Sequence, residues 1–174
     1  YIANRSSGAQ GTAIAKALAA LGADVTFVTG PADVPPPNGV RVVKVQTAAE
    51  MLTAVMEAPA SDAAVFAAAV ADWRVENAGP SKIKKDGNGL PTLEFAENPD
   101  ILATVSKLKK GRPGLVIGFA AETDDVIANA TAKRLRKGCD WIVANDVSPA
   151  TGIMGGTEND VTLIIADGSE DWPR

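Results

Sequence analysis

A chain of 174 residues holds about one domain's worth of core, and its 46% hydrophobic and 22% charged residues exclude both disorder and a fibrous repeat. Seventeen basic against 21 acidic residues leave a net charge of -4, so nothing draws the chain toward nucleic acid or an anionic membrane from a distance, and no apolar run nears the ~18 residues needed to cross a bilayer. A single cysteine, Cys139, rules out an internal disulfide or a cysteine-cluster zinc site, and the absence of histidine rules out Ser-His-Asp, Cys-His and HExxH chemistry.

Residues 9 to 22, AQGTAIAKALAALG, place Ile14, Ala17, Leu18 and Leu21 at helical spacing with Gly22 as the stop. The β-branched run Val25, Thr26, Val28, ended by Gly30-Pro31, predicts a strand, and PADVPPPNG a stiff loop. A second strand, VRVVKV at 40 to 45, precedes Thr47 and Glu50, spaced as a capping box that opens a helix to about Ala58. Residues 62 to 72, DAAVFAAAVAD, run apolar without alternation, as in a parallel strand covered on both faces. A helix (NPDILATVSKLKK), a strand (GLVIGFAAET), a helix with acidic residues first and basic residues last (DDVIANATAKRLRKG) and a strand (DWIVAND) follow in turn. Residues 161 to 166, VTLIIA, predict a closing antiparallel edge against 141 to 144 or within a hairpin.

This alternation predicts a Rossmann-like α/β fold, a doubly wound, mostly parallel sheet in three layers, with ligand beyond the carboxyl ends of the strands. Those ends fall at Thr29-Gly30, Ala71-Asp72, Ala120 to Thr123 and Ala144 to Asp146. Residues 73 to 97 break the rhythm: they carry no helical period and hold Gly79-Pro80 and the turn-rich stretch 86 to 89. A long irregular insertion in a compact domain is usually functional. Its Lys82-Ile83-Lys84-Lys85 reads either as a solvated charge cluster or as a lid that carries a cation to phosphate.

Asn4-Arg5-Ser6-Ser7-Gly8, followed by Gly11, opens the first helix and is the best phosphate cradle in the chain. Helix N-termini offer unpaired N–H groups and the positive dipole end, while glycines let an oxyanion approach. The alternative is a serine cap with turn glycines. Neither GxGxxG nor GxxxxGK[ST] is present, no acidic residue closes the FVTGP strand, and Tyr1 is the only tyrosine, which speaks against dinucleotide, P-loop and Tyr-Lys reductase sites. Asp72 stands where a Mg2+ ligand would face phosphate, or it caps the following turn or pairs with Arg74. Lys133 and Lys137, four apart, share a helix face and either meet a triphosphate or complement the dipole. Asn98-Pro99-Asp100-Ile101 alone is a helix N-terminus.

Taken together, NRSSGAQG, GADVTFVTGP, AAAVADWR, KIKK, ENPDIL, GFAAET and KRLRKGCDWIVANDV resemble the bacterial phosphopantothenate-cysteine ligase, the synthetase half of the bifunctional coenzyme A biosynthesis flavoprotein, over about residues 2 to 147. The resemblance implies a cytoplasmic homodimer that uses CTP with Mg2+ to ligate L-cysteine to 4'-phosphopantothenate through an acyl-cytidylate. It also implies a fused flavin-dependent decarboxylase in the full-length protein, while the charge and the lack of a membrane-length apolar run predict no nucleic-acid or membrane partner. Carried onto this chain, Asn4 matches the amide that handles the acyl-cytidylate and Lys82 the lid lysine acting in activation. Asp72 matches the acid at the nucleotide and its metal; Phe66, Ala67, Ala68, Asn98, Pro99, Asp100, Ile101, Phe119, Lys133 and Lys137 match positions lining the CTP site, and Ser7 and Gly8 join them from helix-terminus physics. Residues 1 to 174 are then one ligase domain with a lid at about 73 to 97, lacking the strand and phosphate loop that the family carries ahead of the asparagine motif. The rival readings are a nicotinamide-dependent oxidoreductase and a catalytically silent nucleotide-binding module.

Overall fold

A computed structural model describes residues 6–77, 92–148 and 159–172. The first periodic segment forms α1 (Ala9–Ala20), and the strands after it, β1 (Thr26–Thr29) and β2 (Arg41–Lys44), pair in parallel. Thr47 caps α2 (Ala48–Met56): its hydroxyl accepts from Glu50 N at 3.1 Å, and the Glu50 carboxylate reaches back to Gln46 N at 2.8 Å, one residue before the cap.

The apolar run 62 to 72 is a shorter strand than its composition predicts. Only Ala63–Phe66 form β3, paired with the first half of β6 (Leu115–Glu122). The stretch 73 to 97 is in turn more regular than expected. Its ends form β4 (Trp73–Val75) and β5 (Phe95–Glu97), an antiparallel pair that the sequence pattern missed because three-residue strands show no period. Asn77 extends the stem, donating to Thr92 O at 3.0 Å and accepting from Glu94 N at 3.3 Å.

The central sheet runs β3, β6, β7 (Trp141–Asp146), β8 (Val161–Ile165), β9 (Gly168–Trp172), the first three parallel and the last two antiparallel. The expected α/β architecture with a mostly parallel sheet is therefore present, and the closing edge both meets β7 and folds into a hairpin. Among the described residues β1 and β2 do not join this sheet but stand as a pair of their own.

Strand alternation divides the sheet's side chains between two faces. Val116 and Ala120 of β6 and Ile142 and Ala144 of β7 pack with Val105 of α3 (Ile101–Ser106) and Ala130 of α4 (Val126–Lys137), while Val55, Phe66, Leu102 and Val126 close around them. Val116 and Ile142 are fully buried, each worth roughly 1.5–3 kcal/mol of burial. Contact is so close at Gly118 that a Cβ there would lie 2.6 Å from Leu102 Cδ2 and 2.8 Å from Ile142 Cδ1. Ile117, Phe119, Ala121, Val143 and Asn145 alternate onto the opposite face.

A charged staple fixes the amino ends of the two central strands. Arg112 donates to Ser106 O at 2.8 Å, to Pro113 O at 2.9 Å and to the Asp140 carboxylate at 2.8 Å, and the same carboxylate accepts from Val116 N at 2.7 Å. Between them α4 ends at Gly138, whose φ of 75° is the left-handed stop that glycine adopts without a Cβ penalty.

Candidate functional site

The carboxyl ends of β3 and β6, the start of α3 and the inner face of α4 converge on one group of charges. Asp72 lies exposed six residues past the end of β3, immediately before β4, and its expected partner is engaged elsewhere: Arg74 pairs with Glu76 at 2.8 Å and donates to Glu97 O. Asn98 fixes the backbone that presents Asp72. Its amide donates to Ala71 O at 2.8 Å and Trp73 O at 3.3 Å, and its backbone N–H donates to Asp72 O at 2.8 Å.

Asp100 caps α3, one carboxylate oxygen accepting from Ala103 N at 2.9 Å and the other from Lys137 Nζ. Burial works to raise this carboxyl, but the Lys137 ammonium and the Ala103 N–H outweigh it and hold Asp100 below the ordinary carboxylate range. Pro99 is half-buried and Ile101 buried, so the Asn98-to-Ile101 run is a structural helix start as well as a wall of the cluster.

Lys133, one turn before Lys137, is half-buried and forms no ion pair among the described residues. Desolvation pulls its pKa below that of a free lysine; Glu122 and Asp72 draw it back up, while Lys137 and Arg136 push it further down. A desolvated cation with incomplete compensation is where a ligand anion gains most. Because helical side chains lean toward the helix N-terminus, both lysines of α4 reach toward the strand ends. Glu122, the last residue of β6, completes the cluster and had no assigned role from the sequence. Its only signal there was a charge closing an otherwise apolar strand.

Two expected positions sit apart. The Phe66 ring packs on the core side, opposite Gly118 in register, whereas Phe119 points to the other face of the sheet, so the two rings do not line one pocket. Ala67 and Ala68 follow β3, half-buried and exposed, and leave the backbone approachable. Gly8 is the N-cap of α1 with φ 77°, and a Cβ there would meet Ala32 Cβ at 2.7 Å. Ser7 accepts at its carbonyl from Asp33 N and Val34 N, each at 3.1 Å, and at Oγ from Ala9 N at 3.2 Å. The turn-glycine reading thus accounts for Gly8, because close packing of the helix entry on the 30s loop demands it. Asn4 and Lys82 lie outside the described residues. A surface groove between β2 and α2 past Lys44, Glu50 and Glu57 shares no residue with the charge cluster.

A family model for the DNA/pantothenate metabolism flavoprotein C-terminal domain matches residues 1–174. The coenzyme A biosynthesis bifunctional protein CoaBC of Vibrio cholerae is 46% identical over 175 residues, which cover 99% of this chain and 44% of that protein. The chain therefore spans less than half the length of this relative. Among solved structures, the C-terminal domain of a CoaBC aligns with a TM-score of 0.74 at 35% identity, over 98% of this chain and 75% of that one. A DNA/pantothenate metabolism flavoprotein from Streptococcus pneumoniae shares the fold, with a TM-score of 0.73 at 19% identity over 97% of this chain and 81% of that one.

Proposed function

The chain belongs to the DNA/pantothenate metabolism flavoprotein C-terminal domain family, and from that premise we propose that it ligates L-cysteine to 4'-phosphopantothenate with CTP in coenzyme A biosynthesis. The observation that carries this reading is the convergence of Asp72, Asp100, Glu122, Lys133 and Lys137 at the sheet's carboxyl end, with Lys133 desolvated and short of a partner anion. The substrate carboxylate attacks the α-phosphorus of CTP and expels pyrophosphate; the amine of cysteine then attacks the acyl-cytidylate and releases CMP. Most of the work in such a reaction is positioning and charge neutralisation, which lysines, amides and strand-end backbone can supply without histidine.

In this reading Lys133 and Lys137 hold the triphosphate. Asn98 and Asp100 shape its wall, and the backbone of Phe66, Ala67 and Ala68 lies beneath the nucleotide. Asn4 donates to the anhydride carbonyl, and Lys82 neutralises charge during activation. No group of three His, Cys, Asp or Glu side chains among the described residues could cage a metal ion. A lone exposed Asp72 fits Mg2+ that arrives with the nucleotide, since Mg2+ takes one or two carboxylates along with phosphate oxygens and water. When bound, it neutralises the polyphosphate.

The same proposal places the enzyme in the cytoplasm as a homodimer, fused to a flavin-dependent decarboxylase in the full-length protein. Trp73, Leu93 and Phe95, 53%, 48% and 55% exposed around the β4–β5 pair, are the apolar surface a second copy would cover. The test is pyrophosphate release by the full-length polypeptide. It is expected to require both CTP and 4'-phosphopantothenate, with CMP appearing only once L-cysteine is added. Turnover indifferent to 4'-phosphopantothenate, or nucleotide-independent redox chemistry with NAD(P), would overturn it.

A further inference from the structure

On the face of the sheet opposite the charges, three carboxamides form a line at the same carboxyl end. Asn145, the penultimate residue of β7, donates from Nδ2 to Asn159 Oδ1 at 3.5 Å, and Asn159 donates from Nδ2 to Gln10 Oε1 at 3.4 Å. Gln10 sits in the first turn of α1, beside the segment that carries Ser6 and Ser7. Asn145 and Asn159 each give one N–H to the next carboxamide, and no donor reaches Asn145 Oδ1 among the described residues. Beside it in register stands Ala121, exposed and small, which leaves room above the strand end.

A neutral acceptor has little to offer a polyphosphate, whose oxygens are themselves acceptors, but it selects a hydroxyl or an amide N–H. Resting on the ligase reading above, we propose that Asn145 is a specificity-determining residue for the acyl substrate, accepting a hydrogen bond from its neutral middle, with Asn159 and Gln10 holding the amide in place. Between its phosphate and its carboxylate, 4'-phosphopantothenate carries one free hydroxyl and one amide N–H, and either is a donor of the required kind. The sheet thus divides the two substrates by face, cations toward the nucleotide and carboxamides toward the acyl chain. The lengths of 3.4 and 3.5 Å describe a line that tightens when a substrate donor polarises it.

The experiment is steady-state kinetics on the full-length polypeptide, varying each substrate in turn. Asn145→Ala is expected to raise the KM for 4'-phosphopantothenate about tenfold, the loss of one neutral hydrogen bond, with the KM for CTP and for L-cysteine unchanged within about twofold. Asn159→Ala, acting only through Asn145, raises the same KM about threefold. Two analogues identify the donor: one with the amide replaced by an ester, the other lacking the free hydroxyl. Wild type should discriminate against one of them by about tenfold, and Asn145→Ala should lose that discrimination. The assignment is overturned if the variant still discriminates, if the KM for CTP or cysteine rises equally, or if neither variant departs from wild type. A melting temperature lowered by several degrees, with all three KM values raised together, would make Asn145 merely structural. Absence of CTP-dependent turnover in the wild type sinks the ligase reading and this one with it, whereas normal wild-type turnover beside an indifferent Asn145→Ala sinks this one alone.

Discussion

The two sides of the sheet's carboxyl end are built by different physics. On the α3/α4 side, tightly packed alanines and valines support a half-buried cation and an ion pair, so charge is desolvated and its interactions are strong. On the α1 side, the side chains are neutral amides beside an exposed alanine, and no ionised group is asked to leave water. A packed face can hold an uncompensated charge because its scaffold does not relax; a looser face suits neutral groups, whose misplacement costs less.

The sharpest way to break the contrast is to remove the desolvated charge. Lys133→Met keeps the apolar stem, yet CTP affinity should fall by about ten- to a hundredfold, the range of a charge-assisted contact of ~1.5–3 kcal/mol. Stability without ligand should hold or rise, since the buried cation is a liability until an anion arrives; titration calorimetry and a thermal melt read the two effects separately. The same lysine predicts proton uptake on binding. Its folded pKa lies below that of free lysine and an anion raises it again, so at alkaline pH the observed binding enthalpy should vary with the buffer's ionisation enthalpy.

Next comes the packing itself. Gly118→Ala forces a methyl against Leu102 and Ile142 and is expected to cost about 1–3 kcal/mol, lowering Tm by roughly 2–4 °C per kcal/mol. Three residues on, across the sheet, Ala121→Ser should stay within about 0.5 kcal/mol. Equal losses at both positions would abolish the distinction between the faces.

Asn98→Ala tests whether the cluster depends on a locked backbone. It removes the side-chain bonds to Ala71 and Trp73 at about 1 kcal/mol in stability, and nucleotide affinity should drop several-fold as Asp72 loses its support. The smallest effect concerns pH. Because the folded carboxyl of Asp100 is depressed, its contribution is full above the unfolded pKa of about 3.9 and disappears as pH falls through the lower folded value. Asp100 is 44% exposed, so solvent screening keeps that contribution under about 1 kcal/mol. Denaturant midpoints of wild type and Asp100→Asn should differ near pH 7 and converge near pH 2.

Much of this was legible in the sequence. Periodicity located α1, the acidic-to-basic order located α4, and apolar runs located β3, β6, β7 and β8 but not β9; the end of the apolar run 62 to 72 brought Asp72 to notice. Spacing on one helix put Lys133 and Lys137 together, and the structure adds that Lys137 is already committed to Asp100. What escaped was whatever depends on partners distant in sequence. The β4–β5 pair joins segments about 20 residues apart through strands too short to show alternation. The line from Gln10 to Asn159 joins residues 149 positions apart, and no local pattern records it. Motif position grouped Phe119 with Phe66, and counting parity along β6 adds that the two rings take opposite faces of the sheet.

The Arg112–Asp140 staple also sets an order in time. By accepting from both Arg112 and Val116 N, Asp140 ties the start of β6 to the start of β7 and so closes a loop around α4, whose release requires the central strands to part. The Val116 amide, on a fully buried residue, should therefore be among the slowest in the molecule to exchange with deuterated solvent, opening only when the whole chain unfolds. Amides of β9, exposed along its length, should exchange first by fraying from the edge.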